Sequence, residues 1–173
     1  RGTYAKYSRV EAASRVSGAR LAQEILTLGG AAHVQIEQTP GQLSDHYDPR
    51  KRVLRLSPGV YDSSSIAALG IAAHEAGHAI QHQTVYAPLH LRNGIYPVAN
   101  LGSTLAFPIF IAGFFFGPRA SNVLMDIGIL LFSGAVLFSV LTLPVEFNAS
   151  KRAMALLGER GYLKGQELDG ARR

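Results

Sequence analysis

Two long runs without charged residues dominate the hydrophobic pattern of this 173-residue chain. The first covers residues 93–118 and the second covers 127–145, and each is long enough for a helix that crosses a bilayer. Buried core helices of a soluble protein are the alternative, but the aromatic run at 107–116 is hard to cover in so short a chain. The pattern therefore predicts a two-helix transmembrane hairpin over 93–145, with its turn at 119–126.

The chain before the hairpin changes between helical and strand periodicity. Apolar residues recur at helical spacing over 9–28, which predicts an amphipathic helix. Residues 33–37 and 52–56 alternate with period two and predict a pair of strands. An alanine-rich segment over 66–84 follows three serines able to cap a helix N-terminus, and it predicts a buried helix. We therefore expect a small sheet packed against helices within residues 1–92.

The alanine-rich helix carries His74-Glu75-Ala76-Gly77-His78, which matches the pattern H-E-x-x-H. Because positions i and i+4 lie on one face of a helix, the two histidines can bind a single Zn²⁺. Glu75 then lies beside the metal, where it can take a proton from a zinc-activated water. A single histidine is often a core residue, but two at this spacing with a glutamate between them favour a zinc hydrolase.

The third zinc ligand must come from elsewhere, since catalytic zinc usually has three protein ligands. His82 lies one turn further along the same helix, so it points away from a metal held by the histidine pair, and Asp169 has the polar surroundings of a solvated turn. Glu146 is the better candidate because it opens an amphipathic helix directly after the second apolar run, although a helix-start carboxylate is its alternative role. A hairpin returns the chain to the side it left, so Glu146 and the histidine pair can meet at one metal.

The distribution of positive charge predicts the orientation in the membrane. Of 17 Lys and Arg residues, only Arg119 lies between the two apolar runs. The positive-inside tendency therefore places 1–92 and 146–173 in the cytoplasm, where a net charge of +5 suits anionic headgroups. The sequence contains no pattern typical of nucleic-acid binding, and the absence of cysteine excludes disulfides and thiolate zinc ligands.

The segment between the predicted strands, Asp45-His46-Tyr47-Asp48-Pro49, is dense in groups that exchange protons. We expect this loop to overhang the metal, where His46 or Tyr47 can stabilise an oxyanion and Asp45 or Asp48 can orient a ligand histidine. A turn whose polar groups face water is an equally good interpretation.

Four segments give the chain a resemblance to the YugP-like membrane zinc metallopeptidases, and that resemblance covers nearly the whole chain. They are the segment 45–49, Arg55-Leu56-Ser57, the histidine-pair segment 72–81 and the segment 143–150. The layout is also similar to that of the HtpX and CAAX-prenyl membrane proteases, in which a membrane hairpin separates H-E-x-x-H from a helix that supplies a ligand glutamate. The resemblance implies that His74, His78 and Glu146 bind zinc and that Glu75 is the general base.

The chain departs from that pattern in two respects. The better-known relatives commonly carry an aspartate four residues after the ligand glutamate, where this chain has Ser150. We expect Asp48 to replace it beside the ligands, with Asn148 as a further neighbour of the site. Members of the family also typically carry a membrane helix before the region of Tyr4 and another after Arg173, so we expect the chain to be part of a longer protein.

These patterns together predict an α+β membrane protein, a mainly helical zincin-like metallopeptidase with a small β-sheet and a two-helix transmembrane hairpin. Residues 1–92 and 146–173 would form the cytoplasmic zinc portion, on either side of the hairpin at 93–145. We expect a multi-pass endopeptidase of a bacterial-type plasma (inner) membrane, with zinc as cofactor, peptide or membrane-protein substrates, and the bilayer and membrane proteins as partners. The alternative is a membrane adaptor with structural zinc, which a fourth protein ligand such as His46 or His82 would favour.

Overall fold

A computed structural model describes residues 2–116 and 118–172, without the side chains of 118–121. The chain divides into two compact units, one made of Arg1–Tyr86 with Glu146–Arg173 and the other of Ala87–Val145. The elements in chain order are α1 (Gly2–Tyr7), α2 (Gly18–Leu28), β1 (Gln35–Gln38), β2 (His46–Asp48), β3 (Val53–Leu56), α3 (Pro58–Tyr61), α4 (Ile66–Gln83), α5 (Ala87–Ala112), a 3-10 turn (Gly113–Phe115), α6 (Pro118–Glu159) and α7 (Gln166–Arg172). The protein is therefore mostly helical with one small sheet, as the sequence predicted.

The sheet of the first unit has three strands in the order β1-β3-β2. β1 runs parallel to β3 and β2 runs antiparallel to it, which confirms the predicted pairing of the first and last strands. The middle strand β3 is buried at Val53, Leu54 and Leu56, as expected for a strand with neighbours on both sides. The prediction for the segment between these strands is corrected, because part of it forms the edge strand β2 instead of a loop. A strand of three residues is too short to show an alternating pattern in the sequence.

The predicted helix over 9–28 is correct only in its second half. α2 begins at Gly18, where the Ser17 side chain accepts a hydrogen bond from the backbone N–H of Arg20 and caps the helix. Residues before it form backbone hydrogen bonds with the start of α4 instead, since Ala12 N–H donates to Ser64 and Ile66 N–H donates to Val10. These tertiary hydrogen bonds hold 9–17 out of a helix despite its helical spacing.

The core of the first unit is built around α2 and α4. Its fully buried side chains include Leu21 and Ile25 of α2, Leu69 of α4 and Leu157 of α6. Alanines line the buried side of α4, and short side chains let neighbouring helices approach closely. The buried side of α4 is therefore part of the core that positions the residues α4 carries.

One close approach within this unit joins α4 to the last part of α6. A Cβ atom added to Gly77 would lie 2.9 Å from the carbonyl oxygen of Ala149, so no side chain fits at this position without moving the backbone. Gly77 therefore sets the distance between the helix that carries the histidine pair and the helix that carries Glu146.

The second unit contains α5 and the first part of α6. Among the described residues, two helical segments are long and apolar enough to cross a membrane, Ala87–Phe115 with a mean hydropathy of 1.7 and Asn122–Glu159 with 2.2. In the most apolar 18-residue stretch of each segment, only 11% and 6% respectively is buried within the structure, whereas a core helix of a soluble protein would be mostly buried. By length and composition, both segments could therefore span a membrane, as the sequence predicted.

The structure corrects two predicted boundaries in this region. The stretch predicted as the hairpin turn, 119–126, is helical because α6 already begins at Pro118, and the side chain of Arg119 lies outside the described part of the chain. Glu146 lies inside α6 rather than at the start of a new helix, since α6 continues through Pro144 to Glu159. A helix-start role for the Glu146 carboxylate is thereby excluded.

Replacing Gly77 with alanine should destabilise the protein by about 1–3 kcal/mol, because the new methyl group meets backbone that cannot move away. Gly70→Ala is the matched control on the same helix, since its added Cβ would lie 3.5 Å from Ala171, an ordinary contact. Alanine also favours a helix over glycine by about 1 kcal/mol, so Gly70→Ala should keep or raise the thermal unfolding midpoint in detergent. Equal midpoints for the two variants would contradict the proposed close contact.

Candidate metal centre

Three side chains of the first unit converge on one point. α4 supplies His74 and His78 one turn apart, and α6 supplies Glu146. The Glu146 Oε2 atom lies 3.2 Å from Nε2 of His74 and 3.4 Å from Nε2 of His78. One ligand atom from each residue lies within 4.8 Å of the other two, so the group can hold a single metal ion.

The chemistry of this donor set fits zinc. Two imidazole nitrogens and one carboxylate oxygen are typical ligands of catalytic zinc, which keeps a further position for water or substrate. The imidazole rings stand nearly perpendicular, with centroids 4.7 Å apart and planes at 84°, so both can present Nε2 to one ion. Within the described residues this metal-binding group has three members, whereas structural zinc usually has four protein ligands.

The orientation of His78 is fixed by a buried amide. The Nδ1 atom of His78 lies 3.0 Å from Oε1 of Gln81, a fully buried residue of the same helix. An amide oxygen only accepts hydrogen bonds, so Nδ1 carries the proton and Nε2 keeps a lone pair for a metal. The Gln81 amide group in turn donates to Oδ1 of Asn148 at 3.0 Å, and Arg152 Nε donates to the same oxygen at 2.9 Å.

His74 has a corresponding partner on α6. Its Nδ1 atom lies 3.1 Å from Oγ of Ser150, the residue found where the resemblance predicts an aspartate. The hydroxyl can accept the hydrogen bond that the aspartate would accept. The expectation that Asp48 takes over this position is therefore corrected, because Asp48 faces β3 and accepts from Arg55 Nη1 at 3.2 Å.

Glu75 lies beside the ligands and is partly buried. Burial raises the pKa of this carboxyl, and the nearby His78 and His74 only partly oppose that shift. One of its oxygens, Oε2, accepts a hydrogen bond from the backbone N–H of Tyr47 at 3.2 Å. For His78, burial by itself lowers the pKa, but the hydrogen bond that its ring donates to Glu146 and the charge of Glu75 outweigh it, so the pKa is raised.

The segment between β1 and β3 approaches the centre mainly through Tyr47. The Tyr47 hydroxyl lies 2.8 Å from Nδ1 of His82, and burial raises the pKa of this phenol. The His46 ring is exposed and its Nδ1 donates to the carbonyl oxygen of Ser44 at 2.7 Å. Asp45 accepts from the backbone N–H of Ser57 at 2.7 Å, so its hydrogen bonds hold the start of α3 rather than a ligand histidine.

The remaining candidates lie apart from the ligand group. Asp169 is exposed, as predicted, but it lies within α7 rather than in a turn. Neither Asp169 nor His82 is among the three residues that can hold a metal ion, in the part of the chain that the structure describes. Gln81 was missed by the sequence reasoning, although its i+3 spacing from His78 on a helix was a readable signal.

Comparisons with known proteins agree with this centre. Residues 1–173 match the protein family described as "Putative neutral zinc metallopeptidase". The chain is 46% identical over 170 residues to the "Putative membrane protease YugP" of Bacillus subtilis (strain 168), an alignment that covers 98% of this chain and 74% of the relative. No solved structure matches the chain significantly. The resemblance drawn from the four sequence segments is confirmed.

Replacing Gln81 with leucine should lower zinc affinity about 10–100-fold, the usual cost of removing a partner that orients a ligand histidine. The variant removes the acceptor for Nδ1 of His78 but keeps a buried side chain of similar size. Gln83→Leu is the matched control, since Gln83 is exposed near the end of the same helix. Competition with a coloured chelator measures the affinity, and equal values for both variants would show that Gln81 does not orient the ligand.

Proposed function

The chain belongs to the family described as "Putative neutral zinc metallopeptidase", and from this membership we propose that it is a membrane-bound zinc endopeptidase. The observation that carries the proposal is the convergence of His74, His78 and Glu146 on one point, with Glu75 beside them. This is a gluzincin-type arrangement, in which H-E-x-x-H supplies two ligands and a glutamate of a later helix supplies the third. Peptides and membrane proteins are the proposed substrates.

Zinc bound to this donor set would supply Lewis acidity, which makes water nucleophilic at neutral pH and polarises a peptide carbonyl. Glu75 is the general base that we assign to the reaction. Its Oε2 atom accepts a hydrogen bond from the backbone N–H of Tyr47, which holds the carboxylate in one orientation. The other carboxylate oxygen then takes the proton of the attacking water. The same carboxyl then gives that proton to the leaving amine.

The roles of the surrounding residues follow from their hydrogen bonds. Gln81 keeps the His78 imidazole in the tautomer that offers Nε2, and the Ser150 hydroxyl can accept from Nδ1 of His74 in the same way. Asn148 supports Gln81 from α6, so it acts through that amide and not on substrate. For Tyr47 we retain the predicted role of oxyanion stabiliser, since its backbone N–H lies 3.2 Å from Oε2 of Glu75, which puts this residue beside the base.

We further propose that α5 and the first part of α6 cross the cell membrane as a hairpin. The two apolar segments and the membrane protease name of the Bacillus subtilis relative support this placement. The basic residues outside the apolar segments favour the cytoplasm for the unit that carries the metal centre. The enzyme would then cleave substrates at the cytoplasmic face of the membrane.

Glu75→Gln should lower peptide turnover at least about 10²–10⁴-fold while leaving one zinc per chain, because glutamine keeps the shape of the side chain but cannot take a proton. Cleavage of quenched fluorescent peptides measures turnover, and atomic absorption measures zinc. Glu159→Gln, an exposed carboxylate at the end of α6, is the control and should match the wild type in both. Wild-type turnover in Glu75→Gln would refute its role as the base.

The absence of cysteine from the chain allows a direct test of orientation. Two single-cysteine variants, Asn122→Cys and Gln166→Cys, place a thiol at exposed positions of the second and first unit respectively. In intact spheroplasts, a membrane-impermeant maleimide should label the Asn122→Cys protein, whereas Gln166→Cys should react only after lysis. The reverse pattern would place the metal centre outside the cell.

A further inference from the structure

A cavity of about 350 Å³ opens beside the metal centre within the first unit. Its wall includes His74 and Glu75, so the space begins at the base and at one of the metal ligands. Cavities of roughly 300–1,000 Å³ are typical of small-molecule binding sites. Ser150, the partner of His74, also lies in this wall, and the reaction assigned above uses none of the remaining residues of the cavity.

The larger side chains of the wall are mostly apolar or aromatic. α1 contributes Tyr4 and Tyr7, α4 contributes Ile71, and α6 contributes Met154. Aromatic rings provide large contact areas, and methionine adapts its shape to different apolar partners. All four side chains remain partly exposed in the structure, so their apolar surfaces are accessible from the cavity.

Small residues on α4 and α7 leave the space open. Ala67 and Gly70 of α4 lie in the wall, and so do Gly170 and Ala171 of α7. A Cβ atom at Gly170 would lie 2.6 Å from the Cε1 atom of Tyr7, so glycine at this position lets the Tyr7 ring take its place in the wall. The volume of the cavity therefore depends on short side chains at defined positions.

The wall carries little charge away from the metal centre. Among its described residues the formal charges belong to Glu75, which the reaction uses, and to Arg172, whose side chain is exposed. A charged substrate side chain in the interior would lose its hydration without gaining a buried partner of opposite charge, which is costly. An apolar side chain would instead gain from leaving water.

We propose that this cavity is the specificity pocket of the enzyme and binds a large apolar side chain, such as leucine, methionine or phenylalanine, of the residue next to the scissile bond. The inference rests on the proposed peptidase function and adds a substrate class to it. Glu75 lies in the wall of the cavity, so a substrate side chain bound in this space keeps its own peptide group near the base. For this reason we interpret the cavity as a specificity pocket.

The first test is cleavage of a peptide series by the full chain in detergent. The peptides differ in one residue beside the scissile bond, which is Leu, Phe, Gly, Glu or Lys. We expect kcat/KM to be at least about tenfold higher for Leu or Phe than for Gly, the scale on which apolar pockets discriminate. Ala67→Phe fills the cavity and should remove the preference, whereas Ala155→Phe, an exposed position of α6 outside the wall, should keep it.

The second test reads binding without turnover. Because the chain contains no tryptophan, a peptide with a single tryptophan reports binding to the Glu75→Gln protein by its own fluorescence. The Leu and Phe peptides should bind at least about tenfold more tightly than the Gly peptide. Met154→Ala, which enlarges the cavity, should shift the preference from Leu towards Phe and provides a second variant if Ala67→Phe does not fold.

The two tests separate this proposal from the peptidase function on which it rests. Apolar preference in binding with no cleavage of any peptide would overturn the peptidase function and leave the pocket in place. Cleavage with equal rates for Leu, Gly and Glu peptides would overturn the pocket and leave the peptidase function in place. A preference that survives unchanged in both Ala67→Phe and Met154→Ala would also overturn the pocket.

Discussion

The close contact between α4 and α6 at Gly77 and Ala149 is the constraint on which the metal centre depends. α4 carries two of the candidate ligands and α6 carries the third, so the distance between these helices decides whether the ligand atoms meet. Because Gly77 has no side chain, the backbones of α4 and α6 can approach closely at this point. The alanine-rich face of α4 packs in the core for the same reason, since its side chains are short. The packing of α4 against α6 thus determines how close the ligand atoms of His74, His78 and Glu146 lie to one another.

Hydrogen bonds between the same two helices then fix the orientation of the ligands. Gln81 is fully buried and satisfies both ends of its amide, one at His78 and the other at Asn148. Ser150 takes the equivalent position for His74. A buried polar network of this kind is costly unless each group has a partner, so a complete network favours one arrangement of α4 and α6 over others. Packing brings the ligands together, and the Gln81 amide selects the tautomer of His78.

The spacing of residues along α4 allowed much of this centre to be predicted from the sequence. Hydrogen bonds between distant parts of the chain leave no such pattern, so their effects could not be predicted. The helix predicted over 66–84 is α4 to within one residue, because its periodicity and its serine cap agree. The helix predicted over 9–28 fails in its first half, where backbone partners near Ser64 compete with helical hydrogen bonds. At Ser150 the resemblance predicted an aspartate, and the hydroxyl found there lies within hydrogen-bond distance of Nδ1 of His74.

The zinc content of the purified protein and of its Glu146→Ala variant tests the central claim most directly. Both would be purified in detergent and dialysed against a mild chelator, with Glu159→Ala as the control for loss of an exposed carboxylate from the same helix. A centre assembled by α4 and α6 predicts about one zinc per chain in the wild type and the control, and little in Glu146→Ala. Equal zinc in all three proteins would show that α6 does not supply the third ligand and would contradict the account.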